Sequence, residues 1–334
     1  IIFGDDNLKF DVIIGNPPYQ SEGKGLMARD EPIYHKFMEE SYNIADKVAL
    51  ITPARFLFNA GQTPKKWNKK MLNDPHLKVV FFEQQSSKVF PDTDIKGGVA
   101  ITYRDIRKNY GRIGTFIVDQ TLRKIANTVK NSMTESLSSI HFNRSSYRLT
   151  EKVYEENPSL LSVNKFSERF MIGSNIFNKL PELFINDLDN EKDDKLFIRV
   201  YGLEDNKRVY KYIKREYISE HPNLDKWKVF LPKSNGTGTL GERLSLPEIA
   251  EPNTVSTQTF ISFGSFKSES EARALQKYLK TKFARILLGV KKVTPDNARK
   301  DVWEYVPIQD FTEKSDIDWS KSISEIDQQL YKKY

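Results

Sequence analysis

Four consecutive residues, Asn16-Pro17-Pro18-Tyr19, concentrate chemistry of one kind. A conjugated amino group such as the 6-amino group of adenine is a poor nucleophile, because its lone pair is drawn into the ring. Two hydrogen-bond acceptors that hold its protons pull it toward tetrahedral geometry, and an asparagine side-chain oxygen with a neighbouring backbone carbonyl supplies such a pair. Two successive prolines fix φ and remove N–H donors that would compete for those acceptors. Tyr19 then offers a flat face to a base turned out of its stack. If the methyl donor already carries a sulfonium charge, in-line transfer needs positioning more than a strong base. The bland alternative is a strand that ends in a Pro-Pro turn, with Tyr19 packed on the core. Context favours the chemical reading, because the four residues follow a hydrophobic strand in an α/β pattern.

Such a loop has to be delivered to the carboxyl edge of a sheet, where open α/β folds bind ligands. Phe10-Asp11-Val12-Ile13-Ile14 reads as the strand that delivers it. Val48–Ile51, Leu77–Phe82 and Gly98–Tyr103 are further short runs of the fully buried kind, with crossover segments between them. They predict an α/β region with a mainly parallel sheet. Pro32 suits the first position of a helix carrying Tyr34, Phe37, Met38, Tyr42 and Ala45 on one face. The segment Phe56–Asp74, with Phe58, Trp67 and Leu72 among lysines, predicts a second and less regular crossover. Past about residue 110 the texture turns polar and strand-rich. Lys195–Tyr201 and Arg208–Ile213 predict a hairpin, and Trp227–Leu231 a strand stopped by Pro232. Ser268 with Glu271 and Ser322 with Glu325 predict two capped closing helices, one carrying Leu275, Leu279, Phe283 and Ile286, the other Ile326 and Leu330.

Composition limits the function classes. A chain of 334 residues with 38% hydrophobic content can bury a core and fill two domains. It has no cysteine, which excludes disulfides, thiolate zinc sites and any cysteine nucleophile, including the one that cytosine C5 methylation requires. The four histidines, at 35, 76, 141 and 221, lack metal-ligand spacing. With no apolar run of membrane-spanning length and no secretion leader, a cytoplasmic location is expected. A net charge of +7 and a pI near 9.1 suit a polyanionic partner such as double-stranded DNA.

Phe10-Asp11-Val12-Ile13-Ile14-Gly15-Asn16-Pro17-Pro18-Tyr19 resembles the catalytic motif of adenine-specific DNA methyltransferases, in particular those of bacterial type II, type IIG-like restriction–modification enzymes whose target-recognition domain follows the catalytic one. Tyr34-His35-Lys36-Phe37-Met38-Glu39 is similar to the family's next helix, which implies that Phe37 packs on the adenine of S-adenosylmethionine. Val48–Phe56 resembles the following strand and turn. Val89-Phe90-Pro91 with Lys96–Ile101 is similar to the loop and strand in which a phenylalanine stacks on the extruded adenine opposite the catalytic tyrosine, a role that falls to Phe90. Trp303–Phe311 looks like the group's closing segment. The resemblance implies a partial Rossmann-like methyltransferase sheet over residues 1–110, then a mixed α+β target-recognition domain over 111–334.

One departure matters. The family's glycine-rich cofactor loop lies upstream of its catalytic motif, and nothing like it precedes Asn16. Only Asp5, after Gly4, or else Asp6, resembles the acidic position that bonds the cofactor. The expectation is a piece of a longer polypeptide, beginning with Ile1 rather than Met, with only half of the S-adenosylmethionine pocket and with the Phe10–Ile14 strand exposed as a sheet edge.

In the second half, Lys207, Arg208, Lys211, Lys214 and Arg215 alternate with Tyr210, Tyr212 and Tyr217, a mixture suited to DNA phosphates and stacking, though a half-buried strand with a solvated face reads the same way. Gly236-Thr237-Gly238-Thr239-Leu240-Gly241 fits a dinucleotide fingerprint, but Pro247 interrupts the helix that should follow. With Lys233 and Asn235 beside it, it reads as a loop touching DNA or as an ordinary surface loop. Asp92, Asp94 and Lys96 read as solvated charges rather than a nuclease cluster. Two further functions compete with the adenine methyltransferase: a protein glutamine methyltransferase, which the long basic second part opposes, and a DNA-specificity module without catalysis.

Overall fold

A computed structural model describes residues 9–21, 30–163, 166–188 and 196–334. The chain divides into two compact units, residues 1–123 and 124–334. It is a mixed α/β protein, and each unit has its own sheet system.

In the first unit β1 (Phe10–Gly15) leads into the Asn16–Tyr19 turn, and β2 (Gln20–Ser21) pairs with β3 (Glu31–Pro32). Helix α1 (Tyr34–Ile44), β4 (Ala45–Pro53), α2 (Lys65–Asn73), β5 (Leu77–Glu83) and β6 (Val99–Asp105) follow. The sheet order is β1-β4-β6-β5. β1 and β4 are parallel, whereas β6 is antiparallel to both β4 and β5. Three strands thus point one way and β6, inserted between β4 and β5, runs against them. The expectation of a mainly parallel sheet needs that correction: only one of the three pairings is parallel. The apolar run of β6 shows that the strand is buried but not which way it runs.

β4 alternates buried and half-buried residues because both of its edges are paired. β1 has one paired edge among the described residues, and Phe10, Val12 and Ile14 are 40%, 46% and 80% exposed. Helix α1 buries Tyr34, His35 and Met38. The predicted helical face is rotated from this: Phe37 is 43% exposed, Pro32 belongs to β3, and Ala45 opens β4. Tyr34, His35, Phe56 and Trp67 form an aromatic cluster with ring centroids 5.2 to 6.3 Å apart, which fixes the α1 start against the turn after β4.

Helix α3 (Gln120–Ser132) runs through the division point. The second unit contains β7 (His141–Phe142), α4 (Lys152–Glu156), α5 (Ile176–Lys179), β8 (Phe197–Glu204), β9 (Lys207–Lys214), β10 (Trp227–Pro232), β11 (Glu248–Ala250), β12 (Thr254–Ser256) and β13 (Phe260–Phe266). Helices α6 (Glu269–Lys280), α7 (Lys282–Gly289) and α8 (Ile323–Lys333) close it. One sheet has the order β11-β10-β13-β7 and another β12-β8-β9. β8 and β9 form the expected hairpin, turned by Asp205 and Asn206 at positive φ. Tyr201, Phe230 and Phe260 join the two sheets in one buried core.

The stripe Leu275–Ile286 is not one helix. Thr281 is extended, its hydroxyl accepts from Ala284 N, and the Asp327 carboxylate accepts from Lys282 N and Phe283 N at 2.9 Å each. Satisfying those donors from outside lets a second helix start after one residue. The Ser322–Glu325 capping box is present as read.

Candidate functional site

β1 ends at Gly15, and the next four residues leave the sheet at the carboxyl end of a strand. The Tyr19 carbonyl accepts from Ile33 N at 3.1 Å and Tyr34 N at 3.5 Å, so the first donors of α1 hold the turn in place. Asn16, Pro17, Pro18 and Tyr19 all line one cavity of about 970 Å³, together with Gln20, Asp30, Tyr34, Arg55, Thr63, Phe90 and Asp94.

Phe90 reaches the cavity from the loop between β5 and β6. That loop is braced by the buried Ser86, whose carbonyl accepts from Phe90 N at 2.8 Å and whose hydroxyl bridges Thr93 O at 3.0 Å and Ile95 N at 2.8 Å. The Tyr19 and Phe90 rings stand 6.5 Å apart, edge to face at 66°. Two rings in contact with opposite faces of one flat base stand roughly 7 Å apart. The observed separation is within about an ångström of that spacing, with the rings edge to face rather than parallel.

One polar group of this wall is left unsatisfied. The Tyr19 hydroxyl is buried without a hydrogen-bond partner among the described residues, and burial raises its pKa above the ordinary phenol value. Tyr34 is pushed up to about 12 by burial, against the opposing pull of a hydrogen bond with Thr63 and the charge of Arg55. Buried polar groups are ordinarily paired, so a cavity wall with open partners is a place where a ligand can supply them.

Phe37 does not line this cavity; it is an exposed aromatic on α1. Asp5, with Gly4 and Asp6, lies outside the described residues. Lys96 pairs with Asp94 at 2.6 Å on the surface, and Asp92 occupies a left-handed turn position at φ +63°. Among the described residues no group of acidic or histidine side chains is arranged to hold a metal ion.

The cations proposed from the second half are mostly engaged within the chain. Lys211 pairs with Glu204 at 2.6 Å, Lys214 with Glu156 at 2.6 Å, and Arg215 with Glu220. Arg208 donates to Leu246 O at 3.0 Å. Lys207 is exposed and has no ion-pair partner among the described residues. Lys233 Nζ donates to Ser174 Oγ at 3.2 Å, and burial and the nearby Arg144 both lower its pKa. The Asn235 side chain is spent on Arg243 O and Asn297.

The glycine-rich loop answers its own donors. The Glu242 carboxylate accepts from Thr237 N at 2.7 Å and Gly238 N at 3.1 Å, and it pairs with the buried Lys292. Lys292 Nζ also donates to Asn235 O at 3.0 Å. A Cβ at Gly236 would overlap that carboxylate. The glycines let a backbone wrap a carboxylate of its own chain, which leaves no cradle for a pyrophosphate.

Sequence reading missed Arg55 and Thr63 on the cavity wall. The available signal was a lone charge inside the apolar run Ile51-Thr52-Pro53-Ala54-Arg55-Phe56-Leu57-Phe58.

Comparison with known proteins bears on the same stretch. Residues 2–90 match the family described as Eco57I restriction-modification methylase. An uncharacterized adenine-specific methylase of Mycoplasma pneumoniae (strain ATCC 29342 / M129) is 33% identical over 99 residues, 28% of this chain and 22% of that protein. Among solved structures, the type IIG restriction endonuclease BpuSI aligns at a TM-score of 0.31 and 11% identity, over 97% of this chain and 49% of its own. The type IIL restriction-modification enzyme MmeI, solved with DNA, aligns at 0.35 and 12%, over 89% and 45%. The chain thus spans about a fifth of the curated relative and under half of either solved chain. No helix among the described residues is long and apolar enough to cross a membrane. The matched segment, residues 2–90, is the one that carries Asn16–Tyr19 and Phe90.

Proposed function

We propose that the chain carries the base-binding part of an S-adenosylmethionine-dependent enzyme that methylates the 6-amino group of adenine in DNA, within a restriction–modification enzyme. The observation that carries this is the convergence of Asn16, Tyr19 and Phe90, from two separate loops, on one cavity at the carboxyl end of β1. The target adenine leaves the duplex and enters between the Tyr19 and Phe90 rings. The Asn16 side-chain oxygen and a neighbouring backbone carbonyl accept hydrogen bonds from its amino group, which draws the nitrogen lone pair out of conjugation. Pro17 and Pro18 keep the turn rigid and free of competing donors. Base extrusion costs a few kcal/mol, and two aromatic faces offset it at about 1–3 kcal/mol per stacked base.

S-adenosylmethionine supplies an activated methyl group on a sulfonium. The exposed ring of Phe37, on the helix whose first donors hold the Tyr19 carbonyl, fits packing against its adenine. Three strands running one way with β6 reversed between two of them fit part of a Rossmann-like methyltransferase sheet. The target-recognition role belongs to the second unit, where Lys207 and Lys233, having no carboxylate partner among the described residues, are better placed for DNA phosphates than Lys211, Lys214 or Arg215.

The test is transfer from labelled S-adenosylmethionine by the full gene product to mixed-sequence duplex DNA, followed by digestion to nucleosides. The expected product is N6-methyladenine, with Phe90→Ala lowering the rate by about tenfold or more through lost stacking. Label in cytosine, or in glutamine side chains of added protein, would replace this reading. DNA binding with no transfer would make the chain a specificity module.

A further inference from the structure

Arg55 sits in the turn that follows β4, and its side chain is held along most of its length. Nε donates to the Lys96 carbonyl. The stem lies between two glycines in left-handed conformations: a Cβ at Gly61 (φ +82°) would stand 3.1 Å from Arg55 Cδ, and one at Gly97 (φ +87°) 2.9 Å from Arg55 Cγ. Both glycines are needed twice over, for their φ and for the room they leave. An arginine stem is ordinarily free to sample many rotamers, so this packing fixes where the guanidinium stands.

Arg55 lines the same cavity as Tyr19 and Phe90, and its guanidinium lacks a counter-charge among the described residues. Among the described residues no carboxylate approaches it within ion-pair distance. Asp94 on the same wall is paired with Lys96, and the Asp30 carboxylate accepts from Gln20 Nε2 at 2.9 Å. The Arg55 carbonyl accepts from Ala60 N at 2.9 Å, but beyond the Nε bond its side chain has no hydrogen bond among the described residues, so its terminal N–H donors are open. A planar fork of open donors, held still at a cavity wall, is shaped for the oxygens of a phosphate.

We propose that Arg55 seats a phosphate of the nucleotide whose base enters between Tyr19 and Phe90, and so holds that nucleotide in its turned-out position. The inference rests on the base-binding reading of the cavity. It assigns the nucleotide two anchors from different chemistry: aromatic faces for the base, and one fixed cation for its backbone.

The test uses the intact chain and small probes, so that neither the recognition sequence nor the cofactor enters. Binding of 2′-deoxyadenosine, of its 5′-monophosphate and 3′-monophosphate, and of inorganic phosphate is measured at low salt by ligand-observed NMR. One monophosphate is expected to bind roughly tenfold more tightly than the nucleoside, the gain of one charge-assisted contact. Which of the two does so identifies the flanking phosphate. That advantage should shrink to within about twofold in Arg55→Met and survive in part in Arg55→Lys, with nucleoside affinity unchanged in both, which also shows that the cavity is intact. Equal affinity for nucleoside and both monophosphates in the wild type would overturn the phosphate seat and leave the base site standing. A phosphate advantage that persists in Arg55→Met, or one matched by inorganic phosphate alone at another cation, would overturn the role of Arg55. Nucleoside binding that is absent, or indifferent to Phe90→Ala, would overturn the base-binding reading itself.

Discussion

The turn Asn16–Tyr19 and the glycine-rich loop Gly236–Gly241 both follow a strand and both bring backbone and side-chain polar groups close together, yet they end in opposite states. In the second loop the Thr237 and Gly238 N–H groups, the Asn235 carbonyl and the Lys292 ammonium are all answered from within the chain, chiefly by Glu242. At the first, the Tyr19 hydroxyl has no partner and the Arg55 guanidinium has no carboxylate among the described residues. A loop whose polar groups satisfy one another is part of the scaffold. One that leaves them open at a cavity carries a cost that only a ligand removes. The contrast separates structure from function better than either motif does.

The comparison can be broken most forcefully at Lys292. Its side chain is 2% exposed, and Lys292→Met leaves Glu242 buried with its ion partner gone, so unfolding free energy should fall by about 3–5 kcal/mol in urea titrations. Arg55→Met should lose far less. Equal losses would mean that Arg55 is as structural as Lys292. The pair also predicts an acid limb. Burial raises the Glu242 carboxyl, but Lys292 and the loop N–H groups outweigh it and bring the folded pKa below 4.5. Its contribution is therefore present above about pH 4.5 and lost as pH falls through the lower folded value. That part of the acid transition should vanish in Glu242→Leu/Lys292→Met.

Gly238→Ala is the next largest. Gly238 has φ +90°, and a Cβ there would overlap the Val293 carbonyl and Thr294 N. A loss of about 2–3 kcal/mol is expected in the same titration, since strain and overlap add. A loss under about 0.5 kcal/mol would show that the loop moves freely and is not scaffold.

The smallest effect has the opposite sign. Tyr19→Phe removes a buried hydroxyl that lacks a partner, so the chain should become more stable by about 1 kcal/mol while any base-dependent activity falls. A loss of stability would mean that the hydroxyl is satisfied after all, and would remove half of the contrast.

The sequence made some of this legible and hid the rest for physical reasons. The four strands of the first sheet were readable because buried strands are short and apolar, and Asn16–Tyr19 because its residue types are rare in combination. The direction of β6 was hidden, since hydrophobicity reports burial and not polarity of the chain. Phe37 was placed on the buried face of α1 by spacing, yet Tyr34, His35 and Met38 take that face and leave Phe37 out. The helix break at Thr281 depends on Asp327, forty-six residues later, reaching back to two N–H groups. The basic pattern of β9 gave no hint that Lys211 pairs with Glu204 across the hairpin and Lys214 with Glu156, because alternation does not show which carboxylates the fold sets beside a strand. Arg55 was hidden for the same reason: its significance lies in Gly61, Gly97 and Lys96, which the fold alone brings to it.

The most direct test of the central claim is Asn16→Ala in the full gene product, measured as methyl transfer to adenine in duplex DNA alongside DNA affinity. If Asn16 holds the amino group in the transition state, the transfer rate should fall by about 10²–10³ or more while affinity for DNA changes little. Transfer retained within about threefold would contradict the assignment of this cavity as the place where the adenine reacts.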